Sequence, residues 1–124
     1  MKFSAITENH LYSKAYSKGK RYVTERLAVY ILPDYAAARL AKAHPEGKRV
    51  NRIGLTVSKK LGGAVQRNRT KRILREGLRA AMAAHPMKTG FLIVVAARTA
   101  AVTSTSPVLA RDLTRALQKL GLYE

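Results

Sequence analysis

Cysteine is absent from the 124 residues. With it go disulfides, thiolate zinc sites and cysteine nucleophiles, and a reducing compartment, by default the cytoplasm, is the expected location. Acidic residues are scarce, 7 Asp and Glu against 24 Lys and Arg. Glu8, Glu25, Asp34, Glu46, Asp112 and Glu124 are scattered, and none stands at ligand spacing from His10, His44 or His85. A self-sufficient nuclease needs clustered acids, metal ligands or a poised histidine. No catalytic residue and no protein-held metal are therefore expected. Long apolar runs are missing too. The longest, Phe91 to Ala97, falls far short of the roughly 18 residues that span a bilayer. Met1 to Glu8 lacks the apolar core of a signal peptide, so neither export nor a membrane partner is expected. There is no Walker-type phosphate loop, internal repeat or low-complexity tail.

What the chain has is positive charge, +17 in formal terms, which calls for a polyanionic partner, nucleic acid first. Its length suits one domain, residues 1–124, with a real core. The charge is densest in Arg67, Arg69, Lys71, Arg72, Arg75 and Arg79, with Asn68 among them, within a segment that keeps a helical apolar rhythm. At about 100° per residue, Asn68, Arg72, Arg75 and Arg79 share one stripe. Thr70, Ile73, Gly77 and Ala81 lie opposite, flanked by Leu74 and Leu78. A solvated face stitched by ion pairs is the plain alternative, but only Glu76 is within reach of Arg72 and Arg79. A membrane-active cationic helix fits poorly, because this one carries a packing face within a folded core.

The other elements follow from local pattern. Thr7 is placed to cap a first helix in which Leu11 and Ala15 share a stripe beside Tyr12 and Tyr16, with Gly19 as its C′ residue and Lys14, Lys18, Lys20 and Arg21 around its end. Leu27 to Leu32 reads as a strand stopped by Pro33, with Leu27, Val29 and Ile31 on one face and Ala28, Tyr30 and Leu32 on the other. Residues 34–49 read as a variable loop with one or two helical turns around Ala36 to Lys42. Arg52 to Ser58 alternates, putting Ile53, Leu55 and Val57 toward the core and Gly54, Thr56 and Ser58 on a small, polar face that something can lie against.

Lys59 to Gly63 turns the chain into the basic helix, expected from Ala64 to Ala84, where His85-Pro86 stops it. The Gly62-Gly63 pair reads either as an anion nest or as a simple turn. Phe91 to Ala97, apolar throughout, suits a central strand covered on both sides. Ser106-Pro107 opens a last helix lined by Leu109, Leu113, Leu117 and Leu120 and ending at Gly121. The fold class is α+β, one sheet with helices packed on it.

Read together, Arg52-Ile53-Gly54-Leu55-Thr56-Val57-Ser58-Lys59-Lys60, Gly62, Ala64-Val65 and Arg67-Asn68-Arg69-Thr70-Lys71-Arg72-Ile73-Leu74-Arg75 resemble the signature of the bacterial ribonuclease P protein component. In that family a strand reading R-[IV]-G-[IL]-x-V-S-K-K leads through a glycine turn to a helix reading A-V-x-R-N-R-x-K-R-x-[IL]-R. Tyr12 to Lys20 is similar to the family's first helix, although the family usually has Phe at Tyr12 and often at Tyr16. The resemblance implies a mixed-sheet sandwich in αβββαβα order, like a domain of a small-subunit ribosomal protein, with a left-handed βαβ crossover against the usual hand.

It further implies a subunit of an endoribonuclease in which a catalytic RNA removes the 5′ leader of precursor tRNA. The cofactor would be Mg²⁺, held mainly by the RNA. Carried over by position, Tyr12, Tyr16, Ala28, Tyr30 and Thr56 would bind the leader, and Lys60, Arg67, Asn68, Arg69, Lys71, Arg72 and Arg75 would face the catalytic RNA. The partners implied are that RNA and precursor tRNA, with no obligate protein partner. Alternation independently puts Ala28, Tyr30 and Thr56 on the faces turned from Val29 and Val57. Unpaired RNA needs aromatic surfaces for its bases and cations for its phosphates; half-buried tyrosines at a helix-sheet seam are the ordinary alternative. Asn68 could equally bond RNA or cap local backbone. The rival function is a structural RNA-binding protein of ribosomal type without leader specificity.

Overall fold

The structure, a computed structural model, describes residues 3–6, 9–36, 39, 42–43 and 51–124. Among them the chain runs β1 (Phe3–Ala5), α1 (Asn9–Lys18), β2 (Lys20–Val23), β3 (Leu27–Pro33), β4 (Asn51–Thr56), α2 (Ala64–Ala84), β5 (Phe91–Ala97) and α3 (Ser106–Lys119). Short 3₁₀ turns occupy Lys59–Leu61 and Thr99–Ala101. The strands form one sheet in the order β1-β4-β5-β3-β2. From α1 onward the order is αβββαβα, with β1 added in front. β4 and β5 are parallel neighbours joined through α2, whereas β3 runs antiparallel to both β5 and β2.

β5 lies at the centre of the sheet, which is why it is apolar on both sides. One sheet face, through Leu27, Val29, Ile31, Ile53, Ile93 and Val95, packs on α2 and α3. Leu109, Leu113 and Leu117 are fully buried there, as α3's periodicity predicts. Each such leucine contributes about 1.5–3 kcal/mol by leaving water. Gly77 lets α2 and α3 touch: a Cβ there would lie 3.0 Å from the Ala110 nitrogen and 3.2 Å from the Ser106 oxygen. The opposite sheet face carries a smaller core of Ile6, Ala15, Leu32, Leu92 and Val94, covered by α1.

Several expectations need correction. β1 is an additional strand, and β2 is the strand of the αβββαβα order that local pattern leaves unread; Lys20 and Arg21 belong to it, not merely to the end of α1. Gly19 does not take the left-handed backbone of a C′ glycine. It is needed because a Cβ would lie 2.6 Å from the Ala15 oxygen and 2.7 Å from the Ile31 oxygen, where the helix end presses on β3. The N-cap of α3 is Thr105, one residue before Ser106, while Gly121 does end that helix region with φ +77°.

Asp34, the first residue after β3, is not a free loop residue but a buried one. It is 6% exposed, and its carboxylate accepts from Arg52 Nε at 2.7 Å and Nη2 at 2.9 Å. Burial pushes that carboxyl up, but the hydrogen bonds and charge of Arg52, with the Ala36 amide, outweigh it and hold it below the ordinary carboxylate range. Tyr35 and Ala36 form a turn and Arg39, Lys42 and Ala43 are helical, in keeping with the turns expected around Ala36 to Lys42; residues 37–38, 40–41 and 44–49 of that loop, and Thr7, lie outside the described residues.

Candidate nucleic-acid interface

The register of the sheet decides what the α1 face offers. Two rows of side chains cross it. One runs Arg21, Tyr30, Val94, Gly54 and the other Val23, Ala28, Ala96, Thr56. α1 lies over the first row because Gly54 has no side chain: a Cβ there would meet the Tyr12 ring and hydroxyl at 2.4–2.6 Å. Tyr12 is half-buried, and its hydroxyl donates to the Ile6 carbonyl at 3.4 Å. Burial, then the neighbouring Tyr16, pushes its phenol pKa up, so it stays a neutral donor.

One turn further, Tyr16 remains 43% exposed and reaches the second row. Its hydroxyl is 3.2 Å from Thr56 Oγ1, and its ring meets Tyr30 edge-on with centroids 4.9 Å apart. The structure thus joins Tyr12, Tyr16, Tyr30 and Thr56 along the open side of α1. Ala28 is in the same row but only 6% exposed, so it supplies floor more than contact. Val23, Ala96 and Arg21 complete this surface and were not anticipated, since only the pairing of β2 with β3 and of β3 with β5 brings them there.

α2 divides its residues as the periodicity requires. Thr70, Ile73, Leu74, Gly77, Leu78 and Ala81 are buried, and Asn68, Arg72, Arg75 and Arg79 are exposed. Among the described residues, the ion pairs are Arg26 with Asp112 and Arg52 with Asp34. The exposed stripe takes part in neither. Glu76 pairs with neither Arg72 nor Arg79, and the Asn68 side chain caps no backbone group. Lys60 is exposed on the 3₁₀ turn before the helix.

The cations of the segment are not all alike. Lys71 and Arg75 line a cavity of about 220 Å³ together with Tyr12, Gly54 and Ile6, so the cationic helix and the tyrosine cleft are contiguous. Arg67 is half-buried, and its Nε is enclosed without a partner. Arg69 turns inward along the chain: Nη1 donates to the Val102 carbonyl at 2.8 Å and Nη2 to that of Ser104 at 3.3 Å. The Gly62-Gly63 turn is already served from within, because Gln66 Oε1 accepts from the Gly63 amide at 2.7 Å.

Among the described residues, no three of His, Cys, Asp and Glu stand together as metal ligands, and no helix is long and apolar enough to cross a membrane. Aromatic rings and cations arranged in this way can stack bases and neutralise phosphates.

Comparison with known proteins gives the family of the chain. Residues 1–121 match the family described as Ribonuclease P. The chain is 41% identical over 98 residues to the ribonuclease P protein component of Dehalococcoides mccartyi, spanning 79% of this chain and 68% of that one. It is 31% identical over 123 residues to that of Clostridium botulinum strain Loch Maree, spanning 99% of each. The RNase P protein of Staphylococcus aureus superposes with a TM-score of 0.73 at 28% identity, over 99% of this chain and all 100% of that one. That of Thermotoga maritima shares the fold with a TM-score of 0.61 at 23% identity, over 84% and 89% of the two chains. With sequence and fold matched over nearly its whole length, this chain belongs to the ribonuclease P protein family, the protein component of that ribonucleoprotein.

Proposed function

We propose that this protein joins the catalytic RNA of ribonuclease P through the exposed stripe of α2, and holds the 5′ leader of precursor tRNA in the cleft beside α1. The observation that carries this reading is the contiguity of two unlike surfaces. An aromatic cleft of Tyr16, Tyr30 and Thr56 meets unpaired cations through the cavity shared by Tyr12, Lys71 and Arg75. Stacking on exposed tyrosine suits an unpaired strand, contributing about 1–3 kcal/mol per base. Arginines without internal partners suit a folded RNA backbone.

On this reading the chain is not the catalyst. Mg²⁺ held by RNA phosphates would supply Lewis acidity and an activated water at the scissile phosphate. The chain's part is to bind and orient: the tyrosines fix the leader, while Lys71 and Arg75 place positive charge between leader and catalytic RNA. Arg69 is left out of the RNA-facing set, because its guanidinium is engaged by two carbonyls.

Reconstitution with the catalytic RNA at low Mg²⁺ tests the assignment. The protein is expected to restore cleavage of the 5′ leader, and no restoration would favour a structural RNA-binding role instead. Within the reconstituted enzyme, Tyr16→Ala is expected to weaken binding of leader-bearing precursor by about fivefold or more and to leave mature tRNA binding unchanged. Equal loss for both ligands would refute the cleft assignment.

A further inference from the structure

The cationic stripe of α2 stops short of its helix's end. After Arg79 the helix continues through Ala80, Ala81, Met82, Ala83 and Ala84 without a charge. Cations resume on the neighbouring helix, where Arg111, Arg115 and Lys119 stand four residues apart and are all exposed. At about 100° per residue they form one ridge. None of the three has an ion-pair or hydrogen-bond partner among the described residues. Asp112, the only acid of α3, lies three residues before Arg115, yet its carboxylate accepts from Arg26 Nη1 at 3.3 Å. Lys119 also suits the negative end of the helix dipole, but Arg111 and Arg115 lie mid-helix and have no such local reason.

Contacts between the helices show where the two sets of cations meet. α2 and α3 run side by side in the same direction: Arg69 reaches the Val102 and Ser104 carbonyls before α3 begins, and Tyr123, beyond its end, donates to the Ala81 carbonyl at 2.6 Å. Between these points a Cβ on Gly77 would lie 3.0 Å from the Ala110 nitrogen. Arg79 is two residues past Gly77 and Arg111 one past Ala110, so the α3 ridge begins level with the place where the α2 stripe ends. Both face solvent on the side of the helices away from the sheet, and packed helix axes lie about 8–10 Å apart. Arg72 to Arg79 and Arg111 to Lys119 therefore make one stepped track about 20 Å long. Against these cations the two helices set one exposed acid, Glu76.

The chemistry of the α3 ridge selects its partner. Protein interfaces are centred on apolar and aromatic side chains, and a helix lying on a membrane needs an apolar face turned outward. The exposed positions of α3 are Pro107, Arg111, Arg115, Gln118 and Lys119. The large exposed apolar side chains among the described residues, Tyr16, Val23, Tyr35 and Val65, all lie elsewhere. Cations without apolar company suit a phosphate backbone. We propose that the backbone of the catalytic RNA, having crossed Arg72, Arg75 and Arg79, continues onto α3 and places phosphates on Arg111, Arg115 and Lys119. The inference rests on the assignment of the α2 stripe to that RNA.

Equilibrium binding of the protein to the catalytic RNA alone, across a salt series, tests it. The paired change of Arg111→Gln with Arg115→Gln is expected to lower the log–log slope by about 1.4–1.8, two phosphates' share. Arg72→Ala is the reference for α2. Lys18→Gln removes an exposed cation from α1, on the opposite face of the sheet, and is expected to leave the slope as it is. If Arg72→Ala lowers the slope while the α3 pair leaves it at the wild-type value, the continued track is overturned and the α2 reading stands. If Arg72→Ala does not lower it, the α2 reading fails and the track falls with it, whatever the α3 pair does. If Lys18→Gln lowers it by as much per charge as the α3 pair, net charge is the cause and the track is overturned. If the α3 pair keeps the slope for the catalytic RNA but weakens binding of mature tRNA to the reconstituted holoenzyme, the ridge faces the substrate, and the proposal is again overturned.

Discussion

Replacing Arg69 and Arg72 by alanine, one at a time, separates two kinds of arginine that the sequence makes look interchangeable. Arg72 is exposed and has no ion-pair or hydrogen-bond partner among the described residues. Its loss is expected to change the stability of the free protein by no more than about 0.5 kcal/mol. Arg69 spends two guanidinium donors on the Val102 and Ser104 carbonyls and so ties the segment after β5 to α2. A hydrogen bond to a charged group contributes about 1.5–3 kcal/mol when buried. Arg69 is exposed, and water can resolvate the carbonyls, so about 1–2 kcal/mol for the pair is the expected loss. Urea denaturation of the free protein reads this difference. Binding to the catalytic RNA across a salt series reads the complementary one: Arg72→Ala lowers the log–log slope by about 0.7–0.9, one phosphate's share, and Arg69→Ala leaves it nearly unchanged. If Arg69→Ala lowers the slope and leaves stability untouched, the two carbonyl bonds are incidental, and Arg69 belongs with the RNA-facing residues after all.

Two further outcomes follow from contacts on the α1 face. Gly54→Ala should push the Tyr12 ring off the sheet by about 1 Å, from 2.4–2.6 Å toward ordinary contact, costing about 1 kcal/mol of stability. In a Tyr12→Ala background the same change should cost nothing; an equal cost in both backgrounds, measured by a double-mutant cycle, would show that the glycine is there for another reason. Asp34→Asn removes the charge beside buried Arg52 and should cost about 3 kcal/mol near neutral pH. Because the folded-state pKa of Asp34 is lowered, its contribution is complete above the ordinary Asp value of about 4 and fades as pH falls through the lower folded value. The stability gap between wild type and variant should therefore narrow only below about pH 4, and a gap that stays constant through that range would remove the ion pair as its cause.

The parts of the fold legible in the sequence are those whose information is local and periodic. α2 runs over Ala64–Ala84 as its apolar stripe and His85-Pro86 require, and β5 has the continuous apolar run of a central strand. β2 was not legible. Lys20 and Arg21 look like cations at a helix end, and only pairing with Ile31 and Tyr30 makes them a strand. An edge strand with one half-buried side chain has no periodic signal of its own. The Asp34–Arg52 pair was hidden for a similar reason: its partners belong to different strand ends, and a lone Asp after proline reads as a turn. Likewise, no spacing rule says which arginine of a basic helix folds back on a distant loop. The resemblance to a known family supplied the candidate cleft residues by position, and the structure then divided them: Tyr16 and Thr56 present surface, while Ala28 lies beneath it as buried floor.

That division bears on how a leader would be read. The row Val23, Ala28, Ala96 and Thr56 crosses four strands, about 14 Å at the usual strand spacing. Along it, the groups able to hydrogen-bond a base edge are hydroxyls, that of Thr56 and, from above, that of Tyr16, and these two already lie 3.2 Å from each other. Base-specific readout needs donors and acceptors held in fixed, base-matching pairs, such as bidentate amides or guanidiniums. Alanine, valine and tyrosine rings instead offer π-faces and apolar floor, which every base satisfies about equally. On the proposed assignment the cleft therefore favours a strand for being unpaired and of sufficient length, with little regard to its sequence.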